Sequence, residues 1–132
     1  MLDIPPGAKG TFELTVTPEH LANRFKDSAL PPVLATPVMI LIMENAALDA
    51  VRQFLEPGES AVGTVIEIRH TAATPVGHRV TAEAEVTRVV GRQIKFKLAA
   101  RDEIEEIGWG THERRVVDLA WITRRLASKG KS

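Results

Sequence analysis

Residues 31–55 read PPVLATPVMILIMENAALDAVRQFL, and this stretch decides the fold of the chain. From residue 33 to residue 43 the only polar side chain is that of Thr36. A run this apolar is typical of a helix that is buried on most of its faces, not of an amphipathic surface helix. It is too short to span a bilayer, since the charged Asp49 follows soon after it. We therefore predict a central helix that the rest of the chain encloses.

Both ends of this helix are marked in the sequence. Thr36 followed by Pro37 predicts the start, with the threonine as N-cap and the proline in the first helical position. The helix is predicted to run to about Phe54, where the residues EPGE at 56–59 end it. Glu44 lies inside this apolar helix, and a carboxylate placed there must be paired, protonated or used in chemistry.

Composition limits the classes of function. The chain has 132 residues, of which 44% are hydrophobic, and this predicts a single domain over 1–132. The net charge is zero and the basic residues are scattered, so neither nucleic acid nor an anionic membrane is an expected partner. The lack of cysteine excludes disulfides, thiol catalysis and cysteine-ligated metals. The first ten residues have no signal-peptide pattern, so we expect a cytoplasmic protein.

The rest of the chain alternates as strands do. One strand is predicted before the helix, around residues 11–17, and four follow it, at 64–71, 80–87, 94–98 and about 106–121. Turns are predicted at 75–78, 91–92 and 101–106. In the first strand after the helix, Thr64, Ile66, Ile68 and His70 share the face that is predicted to point inward. The basic tail, 124–132, is expected to fray.

One strand, one buried helix and four consecutive antiparallel strands form an α+β pattern. A curved, five-stranded antiparallel sheet wrapped around one long central helix explains why this helix has so little polar surface. This is the hot-dog fold. Such a sheet leaves an edge strand unpaired, and pairing two edges across a two-fold axis would protect it. We therefore expect a homodimer.

Three side chains with useful chemistry are candidates for one site, namely Thr36, Glu44 and His70. Thr36 and Glu44 are separated by roughly 12 Å of helical rise, so they cannot touch, but they can line two ends of one pocket. A histidine near a buried carboxylate is available as an acid or base. Gly63 would let the main chain approach a ligand and offer an N–H group to a developing oxyanion.

Each candidate also has a purely structural explanation. Thr36 serves as an N-cap, Glu44 as the ion-pair partner of an arginine such as Arg114, and His70 as a satisfied core histidine. Gly63 is explained by turn chemistry. The other histidines lie on different elements without ligand spacing, so no metal site is predicted; they are His20, His78 and His112.

Several motifs resemble those of the fluoroacetyl-CoA thioesterase-like hot-dog proteins. They are LEPG at 55–58, HTAATP at 70–75 and GTHER at 110–114, with Ala35-Thr36 and Met43-Glu44 upstream. The resemblance extends from about Thr11 to Leu119. It implies a thioesterase that hydrolyses a small acyl-CoA thioester to a carboxylate and free CoA, with no cofactor beyond the CoA of the substrate. It also implies a homodimer, with higher oligomers left open, and sites near the subunit interface.

The resemblance carries over to individual residues. Thr36, Glu44 and His70 match the threonine, glutamate and histidine that the family uses in catalysis. Gly63 matches a glycine that lines the acyl site, and Arg114 matches a functional arginine of the GTHER segment.

Two positions depart from the fluoroacetyl-selective member of that family. Leu30 stands where that protein has a phenylalanine lid over the substrate, and Pro37 stands where it has a glycine. These departures argue against fluoroacetyl selectivity and leave thioester hydrolysis as the expected activity.

Two other classes of function fit the same residues. A hot-dog hydratase or dehydratase acting on acyl thioesters would also need a histidine and a carboxylate near one carbonyl. A non-catalytic acyl-CoA binding module would keep the pocket without the chemistry. The residues also leave open whether Thr36, Glu44 or water is the nucleophile, and Glu44 and His70 are expected to be the indispensable pair.

Overall fold

The computed structural model describes residues 1–130 and contains a curved five-stranded sheet that wraps around a long helix. The strands are β1 (Lys9–Thr15), β2 (Glu59–His70), β3 (Arg79–Val90), β4 (Gln93–Arg101) and β5 (Glu106–Asp118), and the helices are α1 (Ala22–Phe25), α2 (Thr36–Val51) and α3 (Leu119–Lys129). All strand pairs are antiparallel and their order is β1-β3-β4-β5-β2, so β1 and β2 are the edges. The predicted fold class is confirmed.

The core lies between α2 and the inner face of the sheet. The helix buries eight side chains, which are Val38, Met39, Ile42, Met43, Ala46, Ala47, Ala50 and Val51. They pack mainly against β1 and β3, and α2 has few contacts with β2. Full burial of each large aliphatic side chain contributes about 1.5–3 kcal/mol. The helix therefore covers one half of the sheet and leaves the inner face of β2 partly open.

Gly10 allows β1 to lie directly on α2. A Cβ atom at this position would collide with the carbonyl oxygen of Ala46 and the amide nitrogen of Ala50, and both belong to the helix main chain. We expect Gly10→Ala to lower the free energy of unfolding by about 2–3 kcal/mol, because the helix must move away from the strand. Urea unfolding measures this change.

Gly130→Ala is the matched control, because a Cβ there meets its nearest neighbours at an ordinary 3.5 Å. Its free energy of unfolding should stay within about 0.5 kcal/mol of that of the wild type. An unchanged unfolding midpoint for Gly10→Ala would contradict the close packing of β1 on α2.

The start of α2 differs from the prediction. Ala35 is the N-cap, in extended conformation, and Thr36 is the first helical residue, so the assignment of Thr36 as N-cap was wrong. The N–H group of Ala35 donates to the carbonyl of His20 at 2.9 Å, which holds this residue outside the helix. Consequently the hydroxyl group of Thr36 is not used for capping. The helix ends at Val51, and a 3₁₀ turn at Arg52–Phe54 follows.

A β-bulge in β2 changes which residues point inward. The pairing register with β5 shifts between Gly63 and Val65, so Thr64 is the extra residue. The hydroxyl group of Thr64 donates to the carbonyl of Glu113 at 3.2 Å. The prediction that Thr64 shares the inward face of Ile66 was therefore wrong, whereas His70 does point inward, toward α2.

The C-terminal segment also differs from the prediction. The last strand ends at Asp118 and does not reach the predicted residue 121. The carboxylate of Asp118 accepts a hydrogen bond from the N–H group of Ala120 at 2.9 Å. This aspartate is the N-cap of α3, so residues 124–129 lie in a helix. The remainder of the predicted tail, residues 131 and 132, lies outside the described residues. No helix in the described part of the chain is long and apolar enough to cross a membrane.

Candidate active site

Thr36 and His70 form a hydrogen-bonded pair where the start of α2 meets the end of β2. The hydroxyl oxygen of Thr36 lies 2.7 Å from Nδ1 of His70. If this hydroxyl donates to Nδ1, the ring carries its own hydrogen on Nε2. A hydroxyl group held against an imidazole nitrogen is the arrangement in which a general base activates an oxygen nucleophile.

Burial affects the protonation of His70. It lowers the pKa of the imidazole below its ordinary value, and the main chain of Ala72 opposes this shift. Nε2 is buried and has no hydrogen-bond partner among residues 1–130. The ring is therefore neutral at physiological pH and its Nδ1 can accept a proton.

An open cavity of about 340 Å³ gives access to this pair. Thr36 and His70 line it together with Leu30 and Lys26, and the residues 71–73 that follow His70 form another part of its wall. Leu30, which stands at the lid position of the related proteins, thus lines the same cavity as Thr36 and His70.

Glu44 belongs to a second group of polar residues further along α2. It lies eight positions after Thr36, which corresponds to roughly 12 Å of helical rise. One of its carboxylate oxygens lies 3.8 Å from Nη1 of Arg114, and the side chain is 39% exposed. The pairing of Glu44 with Arg114, which the sequence left as an alternative, is therefore present. Within residues 1–130 of the single chain, Glu44 and His70 do not form a contacting pair.

Arg114 is buried beneath Glu44 and is held by the main chain. Its Nε and Nη2 atoms donate to the carbonyl oxygen of Ala61 at 3.1 and 2.7 Å. Burial lowers the pKa of Arg114, and the nearby Glu44 opposes that shift. A guanidinium group fixed in this way holds a positive charge beneath the Glu44 carboxylate. It lies in this second group and does not line the cavity that contains Thr36.

His112 is a member of this group that the sequence analysis missed. Its Nδ1 atom donates to the carbonyl of Val65 at 2.7 Å, and Nε2 accepts from Nη1 of Arg114 at 3.2 Å. Burial lowers the pKa of His112, and the positive charge of Arg114 adds to that effect. The strand alternation could have identified it, because His112 and Arg114 of GTHER lie two positions apart on the same inward face.

Gly63 makes room for the Glu44 carboxylate. A Cβ atom at this position would lie 2.9 Å from Oε2 of Glu44 and 3.3 Å from Cε1 of His112. Gly63 lies within β2, next to the bulge, so its assignment to a turn is wrong, and a side chain at this position would displace the end of the Glu44 side chain. Glu44, Gly63 and His112 line a shallow hollow of about 160 Å³.

Apolar side chains are exposed around the free edge of β2. They are Leu41 of α2 and Val62, Val65 and Ile66 of β2, each 38–54% exposed. Larger hollows of about 540 and 560 Å³ lie around Trp109 on the outer face of the sheet, and neither contains Thr36, Glu44 or His70. Within residues 1–130, no three histidine, cysteine, aspartate or glutamate side chains are grouped so that they could hold a metal ion.

Known proteins share both the sequence and the fold. Residues 16–120 match the family described as FlK, fluoroacetyl-CoA-specific thioesterase. The fluoroacetyl-CoA thioesterase of Streptantibioticus cattleyicolor is 40% identical over 128 residues, which cover 93% of this chain and 92% of that protein.

Two solved structures extend this comparison. A threonine-to-serine mutant of the fluoroacetyl-CoA thioesterase FlK in complex with acetyl-CoA has a TM-score of 0.90 at 36% identity, covering 95% of this chain and 98% of that chain. A hot-dog-like protein from Thermanaerovibrio acidaminovorans has a TM-score of 0.87 at 25% identity, covering 98% of this chain and 95% of that chain. The hot-dog fold and the resemblance seen in the sequence are confirmed. The chain belongs to the FlK family of fluoroacetyl-CoA-specific thioesterases.

Proposed function

We propose that this thioesterase hydrolyses a small acyl-CoA thioester to a carboxylate and free CoA, using Thr36, His70 and Glu44 as catalytic residues. The observation that carries the proposal is the 2.7 Å contact between the Thr36 hydroxyl and Nδ1 of His70 at an open cavity. The reaction requires water and acid–base groups only, so the proposal includes no cofactor. We also propose that the protein is cytoplasmic.

His70 moves the proton in this scheme. Its neutral Nδ1 takes a proton from the attacking oxygen, which belongs either to Thr36 or to a water molecule beside it. A carbon–oxygen bond forms at the thioester carbonyl, the carbon–sulfur bond breaks, and the histidine returns the proton to the departing thiolate of CoA. If Thr36 is the nucleophile, water then hydrolyses the acyl-threonine by the same route.

The partner subunit supplies Glu44 in this proposal. The edge of β2 is unpaired and apolar side chains surround it, which favours pairing with a second copy of the strand. An antiparallel pairing that is centred on Glu67, with Thr64 as the extra residue of the bulge, sets Gly63 of one strand opposite His70 of the other. The Glu44 group of one protomer then faces the Thr36–His70 pair of its partner, and two equivalent sites result.

The remaining polar residues support Glu44. Arg114 is pinned to Ala61 and holds its positive charge beneath the carboxylate, and His112 fixes one edge of the guanidinium group. Gly63 and Glu44 line the same hollow, where the acyl group can approach the main chain of β2. Arg114 and Gly63 thereby shape the part of the site that contacts the acyl group.

A screen of acyl-CoA thioesters tests the activity. Release of CoA from acetyl-, fluoroacetyl-, propionyl-, hexanoyl- and benzoyl-CoA is followed with a thiol reagent, and the cysteine-free chain adds no background. We expect the highest kcat/KM for the short acyl groups. We also expect fluoroacetyl-CoA and acetyl-CoA to differ by less than about tenfold, because one apolar side chain such as Leu30 discriminates weakly.

Other results would identify the alternative functions. Loss of the enoyl absorbance of crotonyl-CoA without release of thiol would indicate a hydratase. Tight binding of acyl-CoA with no release of thiol over hours would indicate a binding module. Either result would contradict thioester hydrolysis.

A further inference from the structure

Thr74 and Asp102 form a buried polar pair close to the proposed site. The hydroxyl group of Thr74 donates to Oδ2 of Asp102 at 2.9 Å, and the two residues are 0% and 5% exposed. Thr74 belongs to the HTAATP motif, four positions after His70, and Asp102 begins the turn between β4 and β5. Burial of a carboxylate costs hydration free energy, which its hydrogen bonds must offset. The partners of these bonds therefore show which segments the carboxylate holds in place.

The carboxylate of Asp102 is anchored to its own turn. Oδ1 accepts hydrogen bonds from the N–H groups of Ile104 at 2.8 Å and Glu105 at 2.9 Å. Burial raises the pKa of Asp102, but these bonds and the one from Thr74 outweigh it, and the pKa lies below its ordinary value. Asp102 is therefore a charged and immobile acceptor at the end of the sheet.

Thr74 links this fixed point to the start of α2. Its carbonyl oxygen accepts a hydrogen bond from the N–H group of Leu34 at 2.8 Å, and Leu34 lies two positions before Thr36. The N–H group of Ala35 donates to the carbonyl of His20, and this bond does not involve the loop after His70. Thr74 directly joins the loop following His70 to the segment that carries Thr36.

The other end of the same loop is tied to β5. The N–H groups of Thr71 and Ala72 both donate to the carbonyl of Ile107, at 2.7 and 3.3 Å. The loop is thus held to the sheet next to His70 and again at Thr74. Loss of the hydrogen bond between Thr74 and Asp102 would free the segment that carries Thr36. His70, the last residue of β2, would stay in the sheet.

We infer that Asp102 is a positioning residue for thioester hydrolysis, which acts through Thr74 to set the Thr36 hydroxyl against the His70 imidazole. This inference rests on the proposed function, because the Thr36–His70 pair is the part of the site that it serves. The hydrogen bond between Thr36 and His70 is short. A displacement of about 1 Å in an active site can lower a rate by up to a hundredfold.

Substitutions at Thr74 provide the first test. Thr74→Val removes the hydroxyl group and keeps the shape, whereas Thr74→Ser keeps the hydroxyl group. We expect kcat of Thr74→Val to fall by about tenfold or more with KM within about twofold of wild type, and Thr74→Ser to restore most of the rate. Thr87→Val is the control for loss of a threonine hydroxyl elsewhere in the sheet, because the exposed Thr87 of β3 donates to the carbonyl of Lys95 on β4.

A double-mutant cycle with Asp102→Asn identifies the path. If Asp102 acts through Thr74, the double variant should have the kcat of the single variants, not the product of their effects. All variants are assayed well below their Tm and in the same oligomeric state as the wild type. Additive effects on kcat would mean that the two residues act independently and would overturn the inference.

The pH dependence provides a readout that a purely structural role would not change. His70 must be neutral to act as a base, and burial holds its pKa below the ordinary value. Thr74→Val should admit water to the loop and raise that pKa, so the acidic limb of kcat/KM should move to higher pH. The acidic limb of kcat/KM should keep its wild-type position in Thr74→Ser and in Thr87→Val.

Two results would overturn the positioning role. One is a folded Thr74→Val variant with the kcat and acidic limb of the wild type, and the other is an equal loss in Thr87→Val. His70→Ala is assayed in parallel. An inactive His70→Ala beside a fully active Thr74→Val rejects this inference alone, whereas an active His70→Ala rejects the proposed site and, with it, the positioning role.

Discussion

Replacing His70 by alanine or Glu44 by glutamine is expected to lower kcat/KM by at least about a hundredfold, which is the usual scale for a general acid–base group. His70→Ala removes the nitrogen that lies 2.7 Å from the Thr36 hydroxyl. Glu44→Gln keeps the shape of the side chain and removes its negative charge. Steady-state release of CoA from acetyl-CoA measures both effects.

Most of the loss should appear in kcat, because both residues act on the reaction and not on the binding of CoA. Glu83→Gln on the outer face of the sheet is the control for loss of a carboxylate, and its rate should stay close to that of the wild type. Circular dichroism and size-exclusion chromatography show whether each variant keeps its fold and assembly. Correctly folded variants that turn over every acyl-CoA at nearly the wild-type rate would remove both residues from the mechanism.

Mixing the two inactive variants is expected to restore activity. If each site takes Thr36 and His70 from one protomer and Glu44 from the other, a heterodimer of His70→Ala and Glu44→Gln contains one intact site and one doubly altered site. Random exchange makes half of the dimers heterodimers, so the mixture should recover about a quarter of the wild-type rate. The same mixture would stay inactive if each site were formed by a single protomer.

Controls make this experiment decisive. Each variant unfolded and refolded alone should remain inactive, and native mass spectrometry should show heterodimers in the mixture. Heterodimers without activity would reject the assignment of Glu44 to the partner. Recovery of activity in the heterodimer is expected for two reasons. Within one chain, helical rise separates Glu44 from Thr36 by roughly 12 Å. The edge of β2 is also unpaired and can pair with a second copy of the strand.

The amino-acid pattern alone was sufficient to predict the architecture. The apolar run of residues 33–43 favoured a helix with little exposed surface, and the strands after it alternate with a period of two, so the helix was expected to pack inside the sheet. The motifs HTAATP and GTHER then identified the family. These features depend on neighbours in sequence, and for that reason they could be read without coordinates.

Hydrogen bonds between distant segments decided the details of the site. The bond from Ala35 to His20 made Ala35 the N-cap and released the Thr36 hydroxyl for His70. The bulge at Thr64 shifted the inward face of β2, and no periodicity in the sequence marks an extra residue of this kind.

The grouping of the polar residues also depended on the tertiary structure. His112 and Arg114 lie beneath Glu44 because β5 pairs with β2 in this register, and Asp102 meets Thr74 because two turns close at the same end of the sheet. Sequence pattern determines which face of a strand is buried and which segment becomes the helix. The pairing of side chains across strands is set by register and by chain reversals, and these are fixed only when the whole sheet has closed around α2.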